Sequence, residues 1–410
     1  MSKKSPLLIA FMTVALDLLG FGIIIPIQPF YAEAFGATPT MVTWLGASYS
    51  LMQFLFVPFW GRLSDRIGRR PVILTSVALG TLGYVIFGLA GSLGMLFAAR
   101  MLSGFGNANI ATAQAIIADT TSGPERTKGM GLIGAAFGLG FIFGPALGGF
   151  LGQFGLAWPA FGAAALGVVN FVFAAVMLPE TRPETRPDAV RVMPWEVLPK
   201  LLHHPNFGRI VSVIFVMTTG FALMEQALGL YVERVWVPEA LTSTGDAQRE
   251  ALRQAAALTS YILVVVGVTA AIVQGGLIGR LSKQFGERRL ALLGLSFVSL
   301  SMLLIPLVGS LGTYALMFPA AVLLATGTGL ATPSLNSLLS QSVDGSEQGG
   351  ALGVGQSASA LGRVVGPAIS GMLFQWIIIA PFVAGALLTA LAVLVSVGIR
   401  ITRPSQAPQH

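Results

Sequence analysis

Four ionisable side chains stand inside long apolar runs of this sequence. Asp17 lies in VALDLLGFGIIIP, Arg100 in MLFAARMLSGFG, Glu225 in MTTGFALMEQALGLY and Arg363 in GQSASALGRVVGPAISG. Asp17 has no basic residue within ten positions on either side. A charge at the centre of an apolar helix costs about 2.5–3.5 kcal/mol on insertion scales, so such groups mark ion or substrate paths. An acid there is suited to changing charge. If the site opens to water on one side and closes again, proton and substrate can compete for the same carboxylate, which is antiport. One proton moved through 100 mV supplies about 2.3 kcal/mol. Since about 1.4 kcal/mol is a factor of ten, one proton sustains roughly a 50-fold gradient of a neutral solute.

Other chemistry is poorly represented. The chain has no cysteine, which excludes disulfides, thiol catalysis and thiolate metal sites. His203 and His204 are adjacent, project to different helix faces and have no acidic partners nearby, so no metal site is expected. No phosphate loop, HExxH, GxSxG or paired-carboxylate motif occurs, so an enzyme is not expected and no cofactor is implied. Glu33 and Glu233 fall at the ends of apolar runs, where solvation is expected. Glu225 is open to three roles: recognition of a cationic substrate, which we favour, proton coupling, or structure.

The elements that must position these groups are membrane helices. Of 410 residues, 54% are hydrophobic and 10% charged, against about 25% charged in soluble chains. Apolar runs long enough to cross a hydrocarbon core of about 30 Å recur along the chain. They give twelve spans near 6–30, 41–61, 71–91, 95–119, 128–152, 158–178, 208–233, 252–278, 289–309, 313–337, 349–372 and 378–399. The opening MSKK and the run after it form the first span rather than a cleaved leader, because the run continues through Asp17 to Pro29 without a small-residue cleavage pattern. Most of the 24 Lys and Arg sit in alternate breaks and at the two ends, which puts both termini in the cytoplasm. That placement explains the net charge of +7 without nucleic acid. The opposite loops are short except 234–251, a polar, mixed-charge segment.

The break at 179–207, with its tandem ETRP, reads as a solvated linker between two six-span halves, 1–178 and 208–410. The halves repeat one another. GRLSDRIGRR (61–70) returns as GRLSKQFGER (279–288), and LGFIFGPALGG (139–149) as LGRVVGPAISG (361–371). An even number of spans separates the copies, so they share one orientation, as in transporters whose site lies between halves.

Four motifs carry a resemblance to a known family: GRLSDRIGRRP, RMLSGFGNANIATAQAIIADTT, GAAFGLGFIFGPALGGFLG and LDLLGFGIIIPIQP. Over nearly its full length the chain resembles the major facilitator superfamily, in particular the twelve-span drug:proton antiporters that include the tetracycline exporters. The resemblance implies an all-α membrane fold. It also implies a latch between the halves at Asp65, flanked by Arg62, Arg66, Arg69 and Arg70, and a sliding interface at Gly144, Pro145 and Gly148. Arg100 would take part in proton coupling with Asp17 and Glu225, with a structural cation snorkelling outward as the lesser alternative. By helical spacing Arg100, Gly104, Asn107, Ala111 and Gln114 share one face. Two departures stand out. Gly83 occupies the place where tetracycline exporters carry an acid before Tyr84, and the ninth span has no acid. An exporter is therefore implied without tetracycline–magnesium as its specified cargo.

The expected pocket is the seam between spans 1, 2, 4, 5 and 7, 8, 10, 11, with Phe21, Gln53, Asn107, Phe137, Phe141, Phe221, Glu225, Tyr261, Asn336, Gln356 and Arg363 as lining. Aromatic walls with few polar groups suit amphipathic ligands. The sequence thus points to a monomeric, proton-coupled exporter of drug-like small molecules in the inner (plasma) membrane. The alternative is a proton-coupled transporter of a specific metabolite such as a siderophore, sugar or amino acid.

Overall fold

The structure is a computed structural model and describes residues 6–120, 136, 139–140, 143–182, 201–204, 206–343 and 348–399. Among these residues every regular element is helical. Span 1 is Pro6–Ile24 and continues after a turn as Gln28–Glu33; span 2 is Pro39–Ile67, span 3 Arg69–Gly88 and span 4 Leu93–Gly106 plus Ile110–Thr120. Span 5 is seen as helix over 143–152, and span 6 is Trp158–Met177. The second half holds span 7 (Phe207–Trp236), span 8 (Gly245–Phe285), span 9 (Glu287–Ser310), span 10 (Tyr314–Gln341), span 11 (Gln348–Trp376) and span 12 (Ala380–Val397). Eight of these helices are individually long and apolar enough to cross a membrane. Residues 183–200 of the linker, the loop after span 4 and both extreme ends fall outside the described residues.

Local signals explain the boundaries. Thr38 and Ser92 accept hydrogen bonds from the amides of Met41 and Met95 and so cap spans 2 and 4. Gly68 (φ 104°) and Gly286 (φ 76°) end spans 2 and 8 in the left-handed region, where glycine is favoured. They hold matching positions in the duplicated GRLS segments. The polar segment 234–251, expected as a loop, is largely helical. Span 7 runs to Trp236, Glu239–Thr242 makes one turn, and span 8 starts at Gly245. Val237 and Ala240 anchor that connection because both are buried, and Asp246 suits the positive end of span 8. Span 8 also contains one π-helical stretch, Ile272–Leu277.

The chain crosses back and forth, so span 1 begins and span 12 finishes at one end, here the proximal end. At the opposite, distal end one apolar core joins both halves. It includes Ile24, Phe30 and Leu45 from the first half with Leu228, Tyr231 and Phe374 from the second. Toward the proximal end the core divides. Ile9, Val77 and Ile116 belong to a cluster of first-half residues, and Phe207, Leu295 and Leu339 to one of second-half residues. Among the described residues, then, the two halves share one core distally and hold separate cores proximally.

Polar contacts reinforce the shared distal core. Trp44 Nε1 donates to Ala368 O at 3.0 Å, and Gly371 N to Thr43 Oγ1 at 3.1 Å. Arg234 on span 7 binds Glu33 of the first half at 2.8 Å and its own neighbour Glu233 at 2.7 Å. Glu33 and Glu233 were expected in solvent, but their side chains are 9% and 1% exposed. Closure of the two halves over them is the reason.

Span 5 packs on span 1 through glycine. A Cβ at Gly144 would lie 2.6 Å from Gly22 backbone atoms, and one at Gly140 would lie 2.7 Å from Leu18 O. Gly148 faces Ile23 O. One step round the helix, Gly149 meets Ser260 of span 8 across the halves, 2.5 Å from an added Cβ. Gly144 and Gly148 therefore seat span 5 within its own half, and Gly149 marks the contact with the other half.

Two outcomes are expected. Gly144→Val places atoms where backbone cannot yield, and overpacking of this kind costs about 1–3 kcal/mol, readable as a lowered melting temperature in detergent. Arg234→Gln should loosen the distal seal. In a chain without native cysteine, a single Ser50→Cys probe, at a position that lines a small cavity between the halves, should then be labelled faster by a membrane-impermeant maleimide applied from the distal side; unchanged labelling would remove Arg234 from the gate.

Candidate functional site

Span 4 is not one continuous helix. It stops at Gly106 and resumes at Ile110, so the single face drawn through Arg100, Gly104, Asn107, Ala111 and Gln114 does not persist. The break turns two amides inward instead. Asn107 Nδ2 donates to Tyr84 Oη at 2.9 Å and to Tyr49 Oη at 3.5 Å. Asn109 Nδ2 donates to Asp17 Oδ2 at 2.9 Å and to Ser76 Oγ at 2.9 Å. On the other side of Asp17, Asn170 of span 6 donates to Oδ1 at 2.8 Å. The two asparagines are 3% and 0% exposed. Among the described residues Asp17 has no ion pair, so Arg100 and Arg363 do not serve as its counter-ions here. An amide can donate N–H to a carboxylate or present its oxygen to a carboxylic acid. The clamp is therefore neutral and can serve both protonation states, and Asn170 Oδ1 is a buried acceptor without a partner.

A separate cavity of about 50 Å³ lies between the halves, lined by Phe21, Gln28, Arg100, Glu225, Gln226 and Arg363 among others. Drug-sized ligands need pockets of about 300–1,000 Å³, so in this conformation the cavity is contracted. Arg100 is buried at 4% exposure. Its guanidinium carbon sits 4.2 Å from the Tyr49 ring centroid and 5.8 Å from that of Phe21. Those two rings stack at 4.9 Å.

The expected residues divide accordingly. Phe21, Arg100, Glu225 and Arg363 share the cavity, whereas Asp17 does not line it; it is held inside the first half. Asn107 and Gln53 support the wall, since Gln53 donates to Tyr49 Oη and to Asn107 O. Phe221 packs into the shared distal core. Tyr261 is 52% exposed, Gln356 is exposed and Asn336 half-buried, and none of the three lines the cavity. Phe137 and Phe141 lie outside the described residues. Sequence reasoning missed Asn109, Asn170 and Gln226, while Gln28 was expected on the face of span 1 that carries Asp17 and Phe21, and it lines the cavity. Lone amides inside apolar spans, as in GVVNFVF, were the available signal.

The profile of the Major Facilitator Superfamily matches residues 10–245 and 247–410. The chain belongs to the Major Facilitator Superfamily. It is 32% identical over 373 residues to the class C tetracycline resistance protein of Escherichia coli, covering 90% of this chain and 89% of that protein. It is 29% identical over 413 residues to multidrug resistance protein 1 of Bacillus subtilis strain 168, covering 100% and 99%. These relatives set it in the drug:proton antiporter branch, and it is a multi-pass membrane transporter. The crystal structure of the human organic anion transporter MFSD10 (TETRAN) has the same fold, with a TM-score of 0.69 at 22% identity over 97% of this chain and 100% of that one.

In this superfamily member the proximal turn between spans 2 and 3 is tied to its own half. Arg69, 1% exposed, binds Asp65 at 2.6 Å and Asp119, at the end of span 4, at 2.9 Å. Arg70 donates to Ala175 O at 2.7 Å, Arg62 Nε to Pro58 O at 3.4 Å, and Arg66 O accepts from Arg182. Glu180, expected in a solvated linker, instead caps span 3 by accepting from the amides of Arg69 (2.8 Å) and Arg70 (3.2 Å). Partial burial works against its charge, but hydrogen bonds from the amides of Arg182, Arg69, Arg70 and Thr181 outweigh it and hold the carboxyl below its usual value of 4.5. A depressed folded-state value means that Glu180 stabilises the fold above pH 4.5 and that this contribution fades as pH falls below it. Glu180→Gln should lower the melting temperature at pH 7 and flatten its decline between about pH 5 and 3; parallel curves for both proteins would rule the cap out as a source of acid sensitivity.

Proposed function

We propose that the chain exports amphipathic, drug-like molecules in exchange for protons, by alternating access between halves 1–178 and 208–410 joined through 179–207. In this reading the proximal end is cytoplasmic, the protein works as a monomer in the inner (plasma) membrane, and the state described is inward-facing. The supporting observation is the clamp on Asp17: an acid held by two neutral amides, with no cation among the described residues to lock it ionised.

Protonation of Asp17 would break or reverse one of its amide contacts. Asn109 also bonds Ser76 on span 3, and it sits in the break of span 4 two residues from Asn107. Asn107 reaches Tyr49, on which Arg100 is stacked. A proton at Asp17 is thus linked, through one helix break, to the wall of the substrate cavity. Asp65, bound to Arg69 at the proximal end, would exchange partners when that end closes. Glu225 would sense substrate charge from the second half.

Asp17→Asn should abolish uphill, pH-driven efflux from energised vesicles while ligand binding is retained at least in part. Uphill transport by that variant at the wild-type rate would overturn the assignment.

A further inference from the structure

The central cavity carries an excess of positive charge. Arg100 enters from span 4 and Arg363 from span 11, one from each half, and the carboxylate that faces them is Glu225. These three groups form no ion pair within 4 Å of one another among the described residues. Arg100 Nε and Nη1 are buried and have no hydrogen-bond acceptor among the described residues. Buried guanidinium N–H groups without acceptors are costly. The stacked rings of Tyr49 and Phe21 offset part of that cost, but rings supply no in-plane acceptor. Arg363 likewise makes no hydrogen bond to a described residue.

We propose that this cavity binds the anionic group, a carboxylate or an equally delocalised enolate or phenolate, of an amphipathic substrate, held between Arg100 and Arg363. Guanidinium N–H pairs match such oxygens in geometry as well as charge. Phe21, Ile25, Leu228, Leu263 and Pro367 supply apolar wall for the body of the same molecule. Glu225 then acts as the internal competitor: it balances one guanidinium in the ligand-free cavity and is displaced from that role when substrate enters. The sequence alone favoured a cationic ligand on Glu225, and two guanidiniums against one carboxylate reverse that preference. An anion seated between residues from opposite halves would also draw the halves together around it.

The inference rests on the exporter reading only in taking this cavity as the substrate site, so the test measures binding rather than transport. The probes are 4-biphenylcarboxylate and 4-biphenylcarboxamide, nearly identical in shape and different in charge, titrated into the full-length protein in lipid nanodiscs at pH 7. The carboxylate should bind at least tenfold more tightly than the amide. Arg363→Gln should erase that ratio while leaving amide binding within about twofold, and Arg363→Lys should restore part of it. Arg100→Gln should do the same; should it fold poorly for want of its ring stack, the Arg363 pair decides alone. Glu225→Gln should strengthen carboxylate binding, an effect that a purely structural glutamate would not produce. Equal affinities for the two probes, no binding of either, or a ratio insensitive to Arg363 would overturn the proposal. Loss of proton-driven efflux as the function, with charge discrimination intact, would instead sink the exporter reading and leave the anion site standing.

Discussion

Hydrocarbon offers no hydrogen bonds, so every polar group within the spans must find its partner in the protein itself. Much of this structure follows from that constraint. Ser and Thr side chains such as Thr81, Thr219 and Thr259 return their hydroxyls to carbonyls one turn back. Asn170 ties spans 1 and 6 through Thr13 O and Asp17. Span 4 gives up a turn of regular helix and gains two inward amides. Arg100 is an exception inside the cavity: its Nε and Nη1 find no hydrogen-bond partner among the described residues, and the Tyr49 and Phe21 rings lie against its guanidinium instead.

The two halves apply this constraint differently, although they descend from one repeat. The first half surrounds its span 1 acid with amides and encloses it. The second half places its span 7 acid in the cavity opposite a guanidinium. The first GRLS turn buries Arg69 between two carboxylates. In the second copy Glu287 replaces that arginine and accepts from Ser282, while Arg288 reaches Val397 O. One half therefore encloses its acid and ties its turn tightly, and the other sets its acid in the cavity, where Arg100 of the first half joins it. Division of labour of this kind requires both copies, since neither holds the full set.

The fold was legible because it depends on periodic quantities. Runs of apolar residues and duplicated glycine motifs give spans and their order without knowledge of contacts. The cavity residues Phe21, Arg100, Glu225 and Arg363 were legible for a related reason, as isolated charges or rings on apolar helices. What was not legible depended on departures from periodicity. Extrapolating span 4 as an unbroken helix aimed Gln114 inward and passed over Asn109. Glu33 and Glu233 were assigned to water because their burial comes from closure of two halves far apart in sequence. Glu180 looked like part of a solvated linker with its tandem ETRP, yet it lies within reach of the exposed amides that start span 3, a contact between residues more than a hundred positions apart.

The π-helical turn at Ile272–Leu277 has a consequence of its own. An α-helix advances about 100° per residue, and a π turn absorbs one surplus residue without disturbing the helix on either side. The two stretches of span 8 are therefore out of phase by one position, and the lower one, Ile278–Phe285, presents Arg280 and Lys283 on a side they would not occupy in a regular rod. The surplus residue need not stay where it is, because a wide turn can pass along a helix one hydrogen bond at a time. With Gly275 and Gly276 inside it and open space beside them, span 8 has the makings of a screw joint. The span 8 residues that line the cavity, Thr259 and Leu263, and the basic end at Arg280 and Lys283 thus lie on opposite sides of that joint on one continuous helix.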